Sequence, residues 1–316
     1  EEPIVLIDCE THVFPRSHDF TRSHVEHLLQ DMDRCGVDRT FLTFYSDSTL
    51  TSPCGEITDP NDKRFGDSDQ EVWEYFIESW KKHRDRFYFF SVPDPREPDC
   101  IETLEEHLKL GMHGIGETQP ATQNILPNGP EFMPVYRFAA DHGLPVVLTM
   151  ERWEKCLCFT GSRFDEFFTM FEQVIREFRD VRFMISHAGD CGSSLRKDWE
   201  EYLASNQRCF QLAAEVDNLW ICSCMPWWFA GNEVNPMLEK QLRFLRNHVG
   251  FSKVTWASDW PYNGSSTEFC FNSDYATVVD FYRNLHFCSE DERESLLGKA
   301  AHEFVTGSTS TNSTLK

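Results

Sequence analysis

Ile4-Val-Leu-Ile-Asp-Cys-Glu10-Thr-His12-Val-Phe-Pro15 is the stretch that decides how the chain is read. Its apolar run, Ile4 to Ile7, has the composition and length of a β-strand. Residues two apart in a strand face the same way, so Glu10 and His12 are expected to leave its C-terminal end side by side. A carboxylate oxygen and an imidazole nitrogen held together form a two-point clamp for a divalent metal. The same placement recurs far along the chain. Val181-Arg-Phe-Met-Ile-Ser-His187 ends in a histidine just before Ala188-Gly189, and Val254-Thr-Trp-Ala-Ser-Asp259 ends in an aspartate just before Trp260-Pro261.

Working outward, strand-like runs lie at Ile4 to Ile7, Thr40 to Tyr45, Phe87 to Val92, His113 to Glu117, Leu144 to Thr149, Val181 to Ser186, Leu219 to Ser223 and Val254 to Ser258. Helix-like runs alternate with them, among them Ser23 to Arg34, Asp69 to His83, Ile101 to Leu110, Phe132 to His142, Phe164 to Phe178, Pro236 to His248 and Tyr275 to Leu285. Gly36, Gly111 and Gly143 stand where helices are expected to stop. Eight strand–helix units in 316 residues predict a single α/β domain, a (β/α)8 TIM barrel over residues 1–306. A doubly wound open sheet normally shows a Gly-rich phosphate loop after its first strand, and none occurs. The Ser/Thr/Asn-rich tail, residues 307–316, is expected to be a disordered polar segment.

Composition narrows the function. A net charge of −22 argues against nucleic acid and against an anionic membrane surface as partners. No stretch approaches the ~18 apolar residues of a membrane helix. The 12 cysteines include the pairs Cys156/Cys158 and Cys222/Cys224, spaced Cys-x-Cys and so unlike a zinc knuckle. Reduced thiols in a cytoplasmic protein are the expectation. Asn263-Gly-Ser and Asn312-Ser-Thr are glycosylation sequons by pattern only.

In a barrel the active site lies at the C-terminal ends of the strands. That rim carries Glu10 and His12, Glu117, then Thr149, Glu151 and Arg152, then His187 and Asp190. It continues with Trp227, Trp228 and Phe229, and ends with Asp259 and Trp260. Several carboxylates and two histidines converging there are hard to explain as solvated charge. Glu117, Arg152, Trp227, Trp228 and Trp260 are the candidates for contacting substrate. The aromatic residues would wall a planar ligand, or else simply pack beneath a loop. An Arg such as Arg16, Arg152 or Arg196 would clamp a carboxylate, or else pair with one of many acidic neighbours.

These segments resemble the amidohydrolase superfamily, in particular the amidohydrolase-related family of aminocarboxymuconate-semialdehyde decarboxylase and the resorcylate-type decarboxylases. The resemblance spans Ile4 to about Phe304. It is carried by Ile7–Pro15, Gly114-Ile-Gly-Glu-Thr-Gln-Pro120, Pro130–Tyr136, Gly143–Val147, Ser186-His-Ala-Gly189 and Trp256-Ala-Ser-Asp-Trp-Pro261. It implies that Glu10 and His12 are the strand-1 metal pair. His187 polarises or protonates substrate or water, and Asp259 is both metal ligand and proton shuttle. One departure stands out: the family's strand-5 histidine ligand is replaced by Thr149. Three readings follow. Glu151, or else Glu117, supplies the missing ligand; His187 is drawn onto the metal; or the site works without metal, as in the family's lactonase branch. The expected cofactor is a divalent metal, Zn²⁺ or Mn²⁺, with Mg²⁺ compatible with so many carboxylates.

The resulting expectation is a metal-dependent hydrolase. It would open a small cyclic or aromatic carboxylated compound, a lactone or amide, with metal-activated water. A non-oxidative decarboxylase of an aromatic or dienoic acid is the alternative, and a non-catalytic small-ligand-binding barrel a further one. The family's frequent dimers imply a homodimer.

Overall fold

The computed structural model describes residues 5–13, 24–44, 69–91, 93–120, 125–150, 164–190, 198–225, 228–230, 233–260 and 274–308. Eight parallel strands form one sheet, in the order of the chain. They are β1 (Ile7–Thr11), β2 (Arg39–Thr43), β3 (Phe87–Ser91), β4 (Gly114–Thr118), β5 (Val146–Met150), β6 (Phe183–Asp190), β7 (Leu219–Cys224) and β8 (Val254–Ala257). Helices α1 (Val25–Cys35), α2 (Asp69–Lys82), α3 (Cys100–Leu110), α4 (Met133–His142), α5 (Phe164–Glu177), α6 (Trp199–Glu215), α7 (Pro236–His248) and α8 (Tyr275–Arg283) follow the strands in turn. Every expected strand and helix is present, and the expected (β/α)8 barrel is what forms.

Local rules explain the element ends. Gly36, Gly111 and Gly143 adopt the left-handed conformation at the ends of α1, α3 and α4. The side chains of Asp198, Asn235 and Asp274 cap the first turns of α6, α7 and α8. In α1, Val25, Leu28, Met32 and Cys35 recur at helical spacing and are buried. Two elements differ from expectation. Strand β1 runs Ile7–Thr11, so Glu10 lies within it and not beyond it. The apolar run misled because the strand's most buried positions include polar ones: Asp8 and Thr11 are both fully buried. Strand β6 likewise continues through His187 to Asp190.

Alternation sorts side chains into two cores. Ile7, Phe41, Phe90, Val147, Met184 and Trp220 point into the barrel. Their chain neighbours Leu42, Phe89, Leu148, Ile185 and Ile221 pack against the helices. After α8, α9 (Glu290–Glu294) opens with a Ser289/Glu292 capping box and runs through a π-turn (Ser295–Lys299) into α10 (Ala300–Thr306). This last helix plugs the N-terminal mouth of the barrel. Phe304, fully buried, stacks on Phe41 and Phe90 at ring distances of 6.2 and 6.5 Å and tilts against Trp220. The Arg182 guanidinium, just before β6, donates to the Phe304 and Val305 carbonyls. The approach requires glycine at 298: a Cβ there would lie 1.8 Å from the Val5 carbonyl oxygen.

The seam between β8 and β1 decides the shape of the rim. It is joined by the Asp259 amide donating to the Glu10 carbonyl (3.1 Å) and the His12 amide donating to the Trp260 carbonyl (2.7 Å). Asp8, facing the helices, adds a clasp. It accepts from the Ser258 amide (2.9 Å), the Ser258 hydroxyl (2.5 Å), the Tyr275 hydroxyl (3.1 Å) and the Glu10 amide (3.3 Å). Burial pushes its carboxyl up to about 7, against those hydrogen bonds, which lower it.

Candidate metal centre at the rim of the barrel

The seam brings Glu10 of β1 and His12 just after it against Asp259, just beyond β8, and β4 and β6 bring Glu117 and His187 to the same point. All five side chains are buried. His187 Nε2 lies 3.3 Å from Glu10 Oε1 and 3.9 Å from Glu117 Oε1. His12 Nε2 lies 3.5 Å from Asp259 Oδ1 and 4.0 Å from Glu10 Oε1. His187 and Asp259 reach in from a left-handed backbone, φ 52° and 57°, that non-glycine residues rarely adopt and that clusters at functional sites.

Both imidazoles are oriented from behind. His12 Nδ1 lies 3.2 Å from the Thr43 carbonyl, and His187 Nδ1 lies 3.0 Å from the Cys224 carbonyl. A carbonyl can only accept, so each Nδ1 carries the proton. In the neutral ring each Nε2 then presents a lone pair to the carboxylates, the tautomer that metal-binding histidines use. Ser186 donates its hydroxyl to Glu10 Oε2. Glu10 Oε1, by contrast, is buried and is not satisfied by a hydrogen bond of ordinary geometry.

The electrostatics point the same way. Burial disfavours the charged form of His187, but Glu10 beside it, with Asp259 and Glu117, outweighs that and holds it well above the usual histidine range. Burial also opposes the charge on His12, and Asp259 and Glu10 overcome it. Burial would raise Glu10, yet His187 and His12 bring it below the usual range. The carboxylates thus draw positive charge into the site.

That demand suits a divalent cation. Ligand atoms bound at about 2.1 Å around a tetrahedral ion stand roughly 3.4 Å apart. The His187–Glu10 and His12–Asp259 separations of 3.3 and 3.5 Å match this spacing. Two overlapping sets qualify by proximity, with ligand atoms within 4.8 Å of one another: Glu10, His187, Cys224 and Asp259, and Glu10, His12 and Glu117.

Thr149 occupies the strand-5 position and is fully buried, with its hydroxyl donating to Glu117 Oε1. Gln119 Nε2 lies 3.4 Å from Glu117 Oε2. The strand-5 slot therefore orients the strand-4 carboxylate. Glu151, Arg152 and Trp227 lie outside the described residues, as do Arg16, Arg196 and both sequons. Two aromatic candidates are not brought to the site. Trp228 packs at 64° against Tyr202, 5.2 Å between ring centroids, in the core between barrel and helices. Trp260 is buried in the same layer, and its indole N–H donates to Asp31 of α1, 3.2 Å away. The residue that sequence reasoning passed over is Cys224; its signal was the Cys-x-Cys pair at the end of β7. The seven described cysteines are free thiols. No helix among the described residues is long and apolar enough to cross a membrane.

None of the curated protein sequences matches the chain. Solved structures similar to it include 5-carboxyvanillate decarboxylase from Sphingomonas paucimobilis, at 16% identity over 96% of this chain and 99% of that one, TM-score 0.61. A probable 2-pyrone-4,6-dicarboxylic acid hydrolase from Acinetobacter baumannii, with citric acid bound, aligns at 15% identity over 95% and 98%, TM-score 0.63. A Burkholderia multivorans amidohydrolase with bound zinc aligns at 13% identity over 95% and 99%, TM-score 0.63. At such identities these likenesses speak for the fold alone. The amidohydrolase family model matches residues 7–306. Its match extends over nearly the whole chain, from β1 to the helix that plugs the barrel, and the chain belongs to the amidohydrolase family of enzymes.

Proposed function

We propose that the chain is a divalent-metal-dependent hydrolase of a small cyclic or aromatic carboxylated compound, a lactone or amide. The observation that carries this reading is Glu10 Oε1, a buried oxygen without an adequate hydrogen bond, faced by the Nε2 atoms of two histidines oriented from behind. Glu10, His12, His187 and Asp259 would hold the ion. His187 then takes the part that the family's strand-5 histidine leaves vacant. When bound, the metal supplies Lewis acidity and brings the pKa of a coordinated water towards neutrality.

The chain's own residues do the rest. The Asp259 side chain is 11% exposed, against 2–4% for those of Glu10, His12 and His187, so it is the one most open to a substrate. Its carboxylate accepts the proton of the attacking water and returns it to the leaving oxygen or nitrogen. Thr149 and Gln119 hold Glu117 at the edge of the site as a hydrogen-bond acceptor for substrate. Burial of the set excludes bulk water and strengthens each of these interactions.

One observation favours a second reading. Glu10 stands where most of the superfamily has histidine, and Glu-x-His is the pattern of some non-oxidative aromatic decarboxylases. There Asp259 would deliver its proton to the ring carbon that loses CO2. Both reactions are tested by one panel. The protein, loaded with Zn²⁺ or Mn²⁺, is incubated with carboxylated lactones, cyclic amides and hydroxybenzoates, and both ring opening and CO2 are followed. Ring opening abolished in Asp259→Asn supports hydrolysis; CO2 release instead supports the lyase. Undiminished turnover in Asp259→Asn, folded as wild type, overturns both.

A further inference from the structure

We propose that Cys224 is a ligand of the metal: its thiolate, from the end of β7, joins the carboxylates of Glu10 and Asp259 and the imidazole of His187. This inference rests on the metal reading above and goes beyond it, because a thiol belongs to none of the ligand sets that the sequence suggested. Cys224 is the last residue of β7, fully buried and turned into the barrel. Its Sγ and the ligand atoms of Glu10, His187 and Asp259 all lie within 4.8 Å of one another. The second, independent observation is Glu10 Oε1, 2% exposed at the residue level and lacking an adequate hydrogen bond at the same point. Two further buried thiols line the barrel, Cys9 and Cys222, and neither joins a metal-capable set among the described residues.

The same residue has a second part in the site. Its carbonyl accepts from His187 Nδ1 at 3.0 Å and so aims the His187 Nε2 at Glu10. One residue thus offers a ligand by its side chain and orients another by its backbone. Coordination replaces the S–H bond with an S–metal bond, and the proton leaves to solvent. Thiolate is a soft ligand, so the site should favour Zn²⁺ and Co²⁺ over Mn²⁺ and Mg²⁺ more than an imidazole–carboxylate set would.

The test is cobalt substitution. The full chain is stripped with chelator and titrated with Co²⁺, and the absorption spectrum is read for visible ligand-field bands and for a near-ultraviolet thiolate-to-cobalt charge-transfer band. The expected result is both sets of bands in the wild type and in Cys222→Ser. Cys224→Ser should keep the visible bands and lose the charge-transfer band. Its backbone carbonyl is unchanged, so His187 stays oriented. Zn²⁺ affinity in Cys224→Ser should fall at least tenfold, roughly the lower limit for losing even an outer-shell partner, with a smaller fall for Mn²⁺. Cys224→Ala serves if the serine variant does not fold, and the wild-type spectrum already decides the main point. Cobalt bound without a charge-transfer band overturns the Cys224 ligand and leaves the metal reading standing. Loss of the band in Cys222→Ser with retention in Cys224→Ser also overturns it. Failure to bind Co²⁺ at all overturns the metal reading, and the Cys224 ligand with it.

Discussion

Asp8 is the perturbation that best probes how the barrel holds its site. Its carboxylate accepts four hydrogen bonds, from the Ser258 amide and hydroxyl, the Glu10 amide and the Tyr275 hydroxyl, in a fully buried position. Alanine leaves two backbone N–H groups without that acceptor, at ~1–3 kcal/mol each. The two hydroxyls can turn to other acceptors. Part of the loss is recovered, because burial already disfavours the charged carboxylate and pushes it up to about 7. The net expectation is a loss of about 2–4 kcal/mol for Asp8→Ala. Asp8→Asn keeps one oxygen for the N–H pair and should lose about 1 kcal/mol, as should Tyr275→Phe, which removes one donor. Urea unfolding at pH 8, followed by far-ultraviolet circular dichroism, measures all three. The clasp also ties the residues beside Glu10 and Asp259, so metal affinity should fall in the same order. An alanine variant within ~0.5 kcal/mol of wild type, the scatter of neutral surface substitutions, would refute the clasp.

Thr149→Val preserves shape and removes the hydroxyl that donates to Glu117, so stability should drop by about 1–3 kcal/mol, measured by chemical unfolding. Acid sensitivity should come from two histidines that burial holds at about 4, His107 and His113, the second also held down by Arg39. Their unfolded values lie near 6.5, so the unfolded chain binds more protons between pH 6.5 and 4. Stability is therefore full above pH 6.5 and falls as pH drops through that window, by up to about 3 kcal/mol for His107 and less for the half-buried His113. Replacing both by Gln should flatten that slope in unfolding curves taken from pH 7 to 4.5. Gly298→Ala drives a Cβ against the Val5 carbonyl and should cost about 3 kcal/mol or more, read as a lower melting temperature.

Much of the architecture is legible in the chain, because strand and helix periods alternate cleanly and the αL glycines mark where α1, α3 and α4 end. The convergence of Glu10, His12, His187 and Asp259 is legible too, since each ends or nearly ends a strand and a barrel brings strand ends together. What the sequence hides are the partners across the barrel. Asp8 looks like a strand-end polar residue until Ser258 and Tyr275 stand beside it. Trp260 looks like a substrate wall until the turn after β8 sends its indole to Asp31 of α1. Thr149 reads as a missing ligand until its hydroxyl is found on Glu117. Cys224 reads as half of a Cys-x-Cys pair because nothing in the spacing says which of the two thiols sits at the rim. The plugging of the barrel by Phe304 depends on a π-turn and on the glycine at 298, neither of which leaves a periodic signal.

The most direct test of the account is the metal content of the purified chain, never exposed to chelator, with Glu10→Gln alongside. The account predicts about one divalent ion per chain in the wild type, of Zn²⁺ or another ion that thiolate and imidazole accept, and markedly less in Glu10→Gln. A wild-type protein that carries no metal and takes up none on reconstitution with Zn²⁺, Co²⁺ or Mn²⁺ would contradict it.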